Sequence, residues 1–153
     1  MRRVWSSVVV ESGPEPIWRL LSEPERYPDY VTATERLLAA SDTTVRVGTT
    51  YREYGGIPPF LGESSWEVVA YEPMTHQHHV GDDGKVRMLL DLDVEAVDAD
   101  RSRLTIGLAI EPRWFMAVPI AMAWPLMMRA RAQKVIDDTV ANAKHLVEVE
   151  QSA

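Results

Sequence analysis

The chain has 153 residues, of which 46% are hydrophobic and 25% are charged, the composition of an ordinary globular domain. Its formal net charge of −7 would repel a phosphate backbone, which argues against a nucleic-acid partner. The absence of cysteine excludes disulfides, thiolate catalysis and cysteine-ligated zinc or iron–sulfur sites. The length predicts a single domain over 1–153, and an N-terminus without an apolar run predicts a cytoplasmic protein.

The first part of the chain predicts one strand and two short helices. Residues 4–11 alternate in the manner of a strand. Ser12, followed three residues later by Glu15, has the spacing of a capping box and predicts the start of a helix. A second start signal at 22–25 predicts another short helix that ends near Pro28.

Six further strands follow, and their two-residue alternation leaves one face of each largely apolar. Turn residues at 82–84 and 98–102 join consecutive strands into hairpins. The predicted strands are Thr34–Ala40, 45–52, 63–70, Thr75–Val80, 87–95 and 104–110. Consecutive hairpins with one polar face and one apolar face predict an antiparallel sheet that is covered on one side only.

The C-terminal part of the chain predicts the cover of that sheet. Apolar residues recur at helical spacing from Met128 to Val147, which predicts an amphipathic helix from near Pro125 to near Val149. The full order is one strand, two short helices, six strands and one long helix. This order predicts the α+β class.

The segment 114–128, directly before that helix, carries no charge over fifteen residues. It is too short for a membrane span, which needs about 20 apolar residues. Pro119 and Pro125 predict that it does not pack as one regular element, and its methionines suit an adaptable apolar surface. Two hypotheses follow: the segment is the wall or lid of an apolar pocket, or its side chains fill the core.

Several local sequences carry a resemblance to a known family. They lie at 12–18, 21–30, 47–51 and 66–73, and the amphipathic helix closes the series. On these residues the chain resembles the START-like superfamily, also called SRPBCC, in its polyketide cyclase/dehydrase branch. The resemblance implies a helix-grip fold, in which a curved seven-stranded antiparallel sheet wraps around the long C-terminal helix and two short helices follow strand 1. Members of the family bind lipids, sterols, polyketides, quinones or plant hormones, and some catalyse ring closure and dehydration.

The same resemblance implies a ligand cavity between the sheet and the C-terminal helix. The segment 114–128 would lie at its mouth, and the loop Gly55–Gly62 would face it as a second flap. The alternative is a closed core with no room for a ligand. The predicted ligand-binding residues are Tyr51, Trp66, Met88, Leu90, Leu92, Leu104, Ile106, Leu108, Trp114, Phe115, Met122, Trp124, Met128 and Arg129. Arg129 would meet a carboxylate or phenolate of the ligand, unless it extends from the helix into water.

No residue is assigned a catalytic role from the sequence. His76 and His78 share one face of the strand Thr75–Val80. If that face points inward, His78 is a candidate general acid or base; if it points outward, both are surface histidines. A His-x-His pair also suits zinc, but no third ligand accompanies it, so no metal site is predicted.

Three functional hypotheses follow. The first is a non-catalytic binder of a small hydrophobic or amphipathic ligand, and the second is a cyclase or dehydratase acting on a polyketide-like ligand in the same cavity. The third is a module that inserts Trp114, Phe115 and Trp124 into a lipid interface or a protein groove. No cofactor and no stable membrane association are expected, and a homodimer that buries those aromatic side chains is a further alternative if they are exposed.

Overall fold

A computed structural model of the chain describes residues 2–153, and its centre is one sheet of seven antiparallel strands. The strands are β1 (Arg2–Val10), β2 (Thr34–Ala40), β3 (Thr50–Ile57), β4 (Phe60–Glu72), β5 (His76–Asp82), β6 (Val86–Ala96) and β7 (Ser102–Pro112). Their spatial order is β1-β7-β6-β5-β4-β3-β2. From β2 to β7, each strand therefore pairs with the next one in sequence. The first strand, β1, pairs with the last strand, β7. The predicted α+β class and the seven-stranded antiparallel sheet are confirmed.

The helices lie in two groups, one after β1 and one at the C-terminus. They are α1 (Pro14–Leu21), α2 (Tyr27–Tyr30), α3 (Ala117–Ala123) and α4 (Arg129–Ser152). A 3₁₀ turn over Pro24–Arg26 leads into α2. Among residues 2–153, no helix is both long enough and apolar enough to cross a membrane.

Alternation along the strands gives the sheet one dry face, as predicted. In β6, Leu92 and Val94 are buried beneath the helices, whereas Asp91 and Glu95 point to the other side. Successive side chains of a strand point to opposite faces, so a single register places the apolar set inward. The buried cluster unites this face with α1 and α4.

The start of α1 differs from its prediction. The residue before the helix is Gly13, and no side chain caps it. The Ser12 hydroxyl donates to the carbonyl of Gly13 at 2.9 Å, and Glu15 pairs with Arg19 instead of reaching back. The helix begins at Pro14, whose fixed φ suits a first turn and which has no N–H to be capped. The predicted capping box is therefore wrong, although the helix itself is confirmed.

The helix predicted to end near Pro28 extends to Tyr30. Pro28 lies in the first turn of α2, where its missing N–H has no intrahelical acceptor to lose. Tyr27 and Tyr30 are both buried. The helix α2 therefore places the rings of both tyrosines against the cavity.

The loop Gly55–Gly62 is not a loop. β3 continues to Ile57 and β4 begins at Phe60, so the predicted flap is the end of a long hairpin. Gly55 and Gly56 have φ values of 157° and 134°, which L side chains rarely adopt, and this lets β3 curl towards Ala33. Gly56 donates its N–H to the Ala33 carbonyl at 2.8 Å.

The segment 114–128 is helical throughout, so the prediction that its prolines prevent a regular element is wrong. A 3₁₀ turn (Trp114–Met116), α3 and a π-helical turn (Trp124–Met128) lead directly into α4. Pro119 lies in the first turn of α3, and Pro125 lies at the start of the wider π turn. Both positions tolerate a missing N–H, which is why the helical path continues.

Candidate functional site

A cavity of about 360 Å³ lies between the dry face of the sheet and the helices. Its floor comes from β3 to β7, its sides from α2 and α4, and its rim from the end of the β3–β4 hairpin. The apolar lining residues include Ile57, Trp66, Met88, Leu90, Leu92, Ile106, Leu108, Ile110, Met128, Val135 and Ile136. The interior is therefore hollow, and the alternative of a filled core does not hold.

One wall of the cavity is aromatic. The rings of Tyr51 and Trp66 are parallel, with an interplanar angle of 1° and 6.0 Å between centroids, because the two residues are paired across β3 and β4. Gly81 of β5 lies under the indole, and a Cβ there would lie 2.5 Å from Trp66 Cδ2. A glycine at this position gives the Trp66 ring the room to lie flat against the sheet.

Glu53 is a carboxyl group that this cavity buries. It follows Tyr51 by two residues on the same face of β3 and is 8% exposed. The Thr34 hydroxyl donates to its Oε2 at 2.8 Å, and no other described residue donates to this carboxyl. No lysine or arginine among residues 2–153 forms an ion pair with it. Its second oxygen, Oε1, is thus left for whatever occupies the cavity.

Burial controls the protonation of Glu53. Loss of solvation raises the pKa of the carboxyl to about 7, and the hydrogen bond from Thr34 lowers it only in part. The group therefore exchanges its proton near neutral pH. A carboxyl with this property can donate a hydrogen bond, accept one, or transfer a proton at the pH of a cell.

A chain of hydrogen bonds fixes the other polar wall. His79 Nε2 lies 2.9 Å from Gln77 Oε1, and Tyr51 Oη lies 2.6 Å from His79 Nδ1. Because an amide oxygen only accepts, Nε2 carries the hydrogen and the Tyr51 hydroxyl donates to Nδ1. Gln77 Nε2 in turn donates to the Ser22 hydroxyl at 3.1 Å. The side chains of His79, Gln77 and Ser22 thus hold the Tyr51 ring in place against the cavity.

The same burial keeps His79 neutral. Loss of solvation lowers the pKa of the imidazole to about 3, and the nearby His78 and His76 add to this effect. A neutral imidazole accepts the Tyr51 hydrogen bond, whereas an imidazolium would have no lone pair for it. His79 therefore orients Tyr51 and takes up no proton at neutral pH.

Comparison with known families assigns this architecture. The sequence matches the family model described as polyketide cyclase / dehydrase and lipid transport over residues 1–148. The chain belongs to this family. The resemblance found in its local sequences is thereby confirmed, and it extends over nearly the whole chain. A search of curated protein sequences finds no significant match.

Solved structures with the same fold include enzymes. The Zhui aromatase/cyclase from Streptomyces superposes with a TM-score of 0.79 at 14% identity, covering 96% of this chain and 93% of that one. A Thermus thermophilus protein gives 0.76 at 13% identity, covering 99% and 100%. Norcoclaurine synthase from Thalictrum flavum, a point mutant in complex with a transition-state analogue, gives 0.70 at 15% identity, covering 99% and 96%. At these identities the likeness establishes the fold of this cyclase/dehydrase-family protein and leaves its substrate open.

Eight of the fourteen ligand-binding residues predicted from the sequence line the cavity of this family member. They are Tyr51, Trp66, Met88, Leu90, Leu92, Ile106, Leu108 and Met128. All except Met128 lie on strands, where two-residue alternation decides which side chains point inward. Their placement supports the predicted site.

The other six predicted residues lie outside the cavity lining. Leu104 is fully buried in the core. Trp124 is partly buried and packs against the core cluster. Trp114, Phe115 and Met122 are exposed, because the helical path of 114–128 turns one face to water. Arg129 is also exposed and does not line the cavity. Four of these six lie in the segment 114–128, for which the sequence predicted an irregular lid and the structure has a helical path.

The histidine placed in the cavity is not the predicted one. His76 and His78 point away from the cavity, where their Nδ1 atoms each lie 2.7 Å from a carboxylate, of Asp93 and Asp91 respectively. His78 was a candidate general acid or base only if its side chain pointed inward, and it does not. His79 lies on the inward face instead, and alternation within β5 places Gln77 beside it.

Proposed function

We propose that the protein binds a small hydrophobic or amphipathic ligand in the cavity between the sheet and the C-terminal helix. The observation that carries this proposal is an apolar cavity of about 360 Å³ with one buried carboxyl that has a free oxygen. Apolar walls with a few placed polar groups are the usual make-up of a small-molecule site. The family description, which includes both cyclases and lipid transport, supports the same class of ligand.

The size of the cavity favours a compact ligand. Its volume lies near the lower end of the range of about 300–1,000 Å³ for small-molecule pockets. A single acyl chain or a molecule of a few fused rings fits such a space better than a two-chain phospholipid. The flat Tyr51–Trp66 wall gives a planar ring a surface on which to stack.

The polar groups set the orientation of the ligand. Glu53 would bind a carbonyl or hydroxyl of the ligand, since a neutral carboxyl donates and accepts at the same site. A ligand with an anionic group at this position would bind more weakly, because the ionised form of Glu53 would repel it. A neutral ligand with one polar end therefore fits best.

Native mass spectrometry of the purified protein, followed by denaturing extraction, would detect such a ligand directly. We expect a mass above that of the chain alone and a neutral, largely apolar molecule in the extract. The protein with its bound ligand removed should then bind the neutral fluorophore N-phenyl-1-naphthylamine. Failure of both measurements would contradict the proposal.

A matched pair of variants in β6 separates the cavity from the outer face of the sheet. Leu90 lines the cavity and Leu89 points to the other face, and both are half-buried. Leu90→Trp fills the cavity, so we expect N-phenyl-1-naphthylamine to bind about tenfold more weakly or worse, whereas Leu89→Trp should bind like the wild type. Fluorescence titration measures both. Equal affinities in the two variants would show that the fluorophore binds elsewhere.

A second candidate function is favoured by Glu53 alone: cyclisation or dehydration of the bound ligand. The Glu53 carboxylate would take a proton from a carbon beside a ligand carbonyl, and the resulting enolate would attack a second carbonyl of the same ligand. One carbon–carbon bond forms, and the new alkoxide takes the proton back to become a hydroxyl. Removal of a further proton beside the first carbonyl and protonation of that hydroxyl would release water and leave a double bond.

Glu53→Gln tests this candidate, because glutamine keeps an acceptor for Thr34 but carries no transferable proton. With a synthetic poly-β-keto thioester as substrate, we expect kcat to fall by about 100-fold or more and the binding of the thioester to change little. In the wild type, the carboxylate form should give a rise in kcat/KM centred near pH 7. Chromatography of the products measures the rate. Wild-type turnover by Glu53→Gln would exclude Glu53 as the base.

A further inference from the structure

The helical path before α4 carries a stripe of large apolar side chains in water. Trp114, Val118, Met122 and Leu126 follow one another at four-residue spacing and are 88%, 68%, 65% and 82% exposed. Residues four apart lie on the same face of a helix. We call these four residues the apolar ridge. Scattered exposed apolar residues are ordinary, but a contiguous set marks a surface that contacts something apolar.

The ridge is not needed for the core. The opposite face of the same helical path holds Ile120, Trp124 and Met128, again at four-residue spacing. Ile120 and Met128 are buried, and Trp124 packs against the core cluster. The inner stripe therefore fastens the segment to the protein. Packing gives no reason for a second apolar stripe on the outside.

The charges around the ridge are cationic at both of its ends. Arg113 precedes Trp114, and Arg129 and Arg131 follow Leu126, with no charged residue between. Arg129 is exposed and forms no ion pair within residues 2–153. Arg113 pairs with Asp82, and Arg131 donates to the Pro58 carbonyl. Long cationic side chains beside an apolar surface suit a boundary where phosphate groups border hydrocarbon.

The ridge lies at the same end of the molecule as the rim of the cavity. Met128, four residues along from Trp124, lines the cavity together with Phe60 and Leu61 at the end of the β3–β4 hairpin. Phe60 and Leu61 are themselves exposed. The bond from Arg131 to Pro58, 2.8 Å long, joins this hairpin end to α4. The C-terminal end of the segment that carries the ridge is thus joined to the rim of the cavity.

We propose that the apolar ridge docks the protein reversibly on the surface of a phospholipid bilayer, with the arginines at its two ends against the phosphate groups. A second copy of the chain is a poorer occupant. Two ridges packed about a twofold axis would bring arginine-flanked ends together, and like charges oppose that contact. The net charge of −7 opposes a strongly anionic membrane, so a zwitterionic surface is the partner. Docking does not require an occupied cavity.

Flotation with vesicles of pure phosphatidylcholine tests the proposal. The test variant is Trp114→Ser/Leu126→Ser, and the matched control is Trp5→Ser/Val47→Ser, which removes a tryptophan and an aliphatic residue that are 64% and 62% exposed outside the ridge. We expect the wild type and the control to float with the vesicles. The partition coefficient of the ridge variant should fall by about tenfold or more, because both side chains lose their burial in the interface.

Several outcomes would overturn the proposal. They are absence of wild-type flotation, equal flotation of the ridge variant, and a wild-type dimer in sedimentation velocity that the ridge variant converts to monomer. The last outcome would identify a second copy as the occupant. Thermal unfolding of each variant shows that it is folded, and Val118→Glu provides an independent ridge variant that should also lose flotation.

Discussion

Glu53→Gln is expected to stabilise the protein by about 3 kcal/mol at pH 8 and by almost nothing at pH 4. The pKa of Glu53 is about 7 in the folded protein against an ordinary value of 4.5, so the folded state holds this proton over a pH range in which the unfolded chain releases it. The stability that the proton provides is complete below pH 4.5 and is lost as the pH rises through 7. A difference of 2.5 pH units corresponds to about 3 kcal/mol.

Urea unfolding of both proteins between pH 4 and pH 8 measures this effect as the difference between their free energies of unfolding. The neutral His79 destabilises both proteins equally below its ordinary pKa of 6.5, so its contribution cancels in the difference. Glu67→Gln is the control, because Glu67 is exposed on the neighbouring strand. A difference between wild type and Glu53→Gln that does not change with pH would show that Glu53 ionises normally.

Gly55→Ala is expected to cost about 3 kcal/mol or more, because it combines backbone strain with overpacking. A Cβ at this position would lie 1.8 Å from the carbonyl oxygen of Ala33, and the φ of Gly55 is 157°. That oxygen also accepts the N–H of Gly56, so it cannot move away without losing a hydrogen bond. The substitution would release the β3–β4 hairpin from the start of β2 and open the rim of the cavity.

Gly62→Ala is the matched control for this substitution. Gly62 is paired directly with Gly55 across the hairpin, yet a Cβ there would meet nothing within 4 Å. We expect its free energy of unfolding to stay within about 1 kcal/mol of the wild type. Chemical unfolding of the two variants measures the comparison. Equal stabilities would mean that the backbone around Gly55 relaxes easily.

Much of the fold was predictable because its signals are local. The bounds of β2 agree with their prediction, and β6 and β7 differ from theirs by one or two residues at each end. Alternation with period two needs no knowledge of distant residues, and it predicted most of the cavity floor. β3 begins later than predicted, because the alternating Val45 and Thr49 are buried by tertiary contacts and not by strand pairing. The N–H of Val45 donates to Ser22 of the first helical region instead.

The parts that were not predictable depend on context. Pro119 and Pro125 break a helix in most settings, and only their positions in a first turn and a π turn make them harmless here. Glu53 was missed because a carboxylate on a strand is normally placed towards water. The sequence did contain a signal for Glu53. Because Glu53 follows Tyr51 by two residues, the two side chains share the inward face of β3. Similarly, only the pairing of β5 with its neighbours decides which of three close histidines points inward.

The position of β1 at the end of the sheet has a consequence for the order of folding. Its residues pair only with β7, between Arg2 and Ile110 at one end and Val10 and Ser102 at the other, roughly a hundred residues apart in sequence. Its outer edge is covered still later in the chain, where Gln133 and Lys144 donate to the carbonyls of Trp5 and Val9. During synthesis β1 therefore leaves the ribosome well before the residues with which it pairs. The hairpins from β2 to β7 can form before it, and closure of the sheet by β1 is the slow, non-local step.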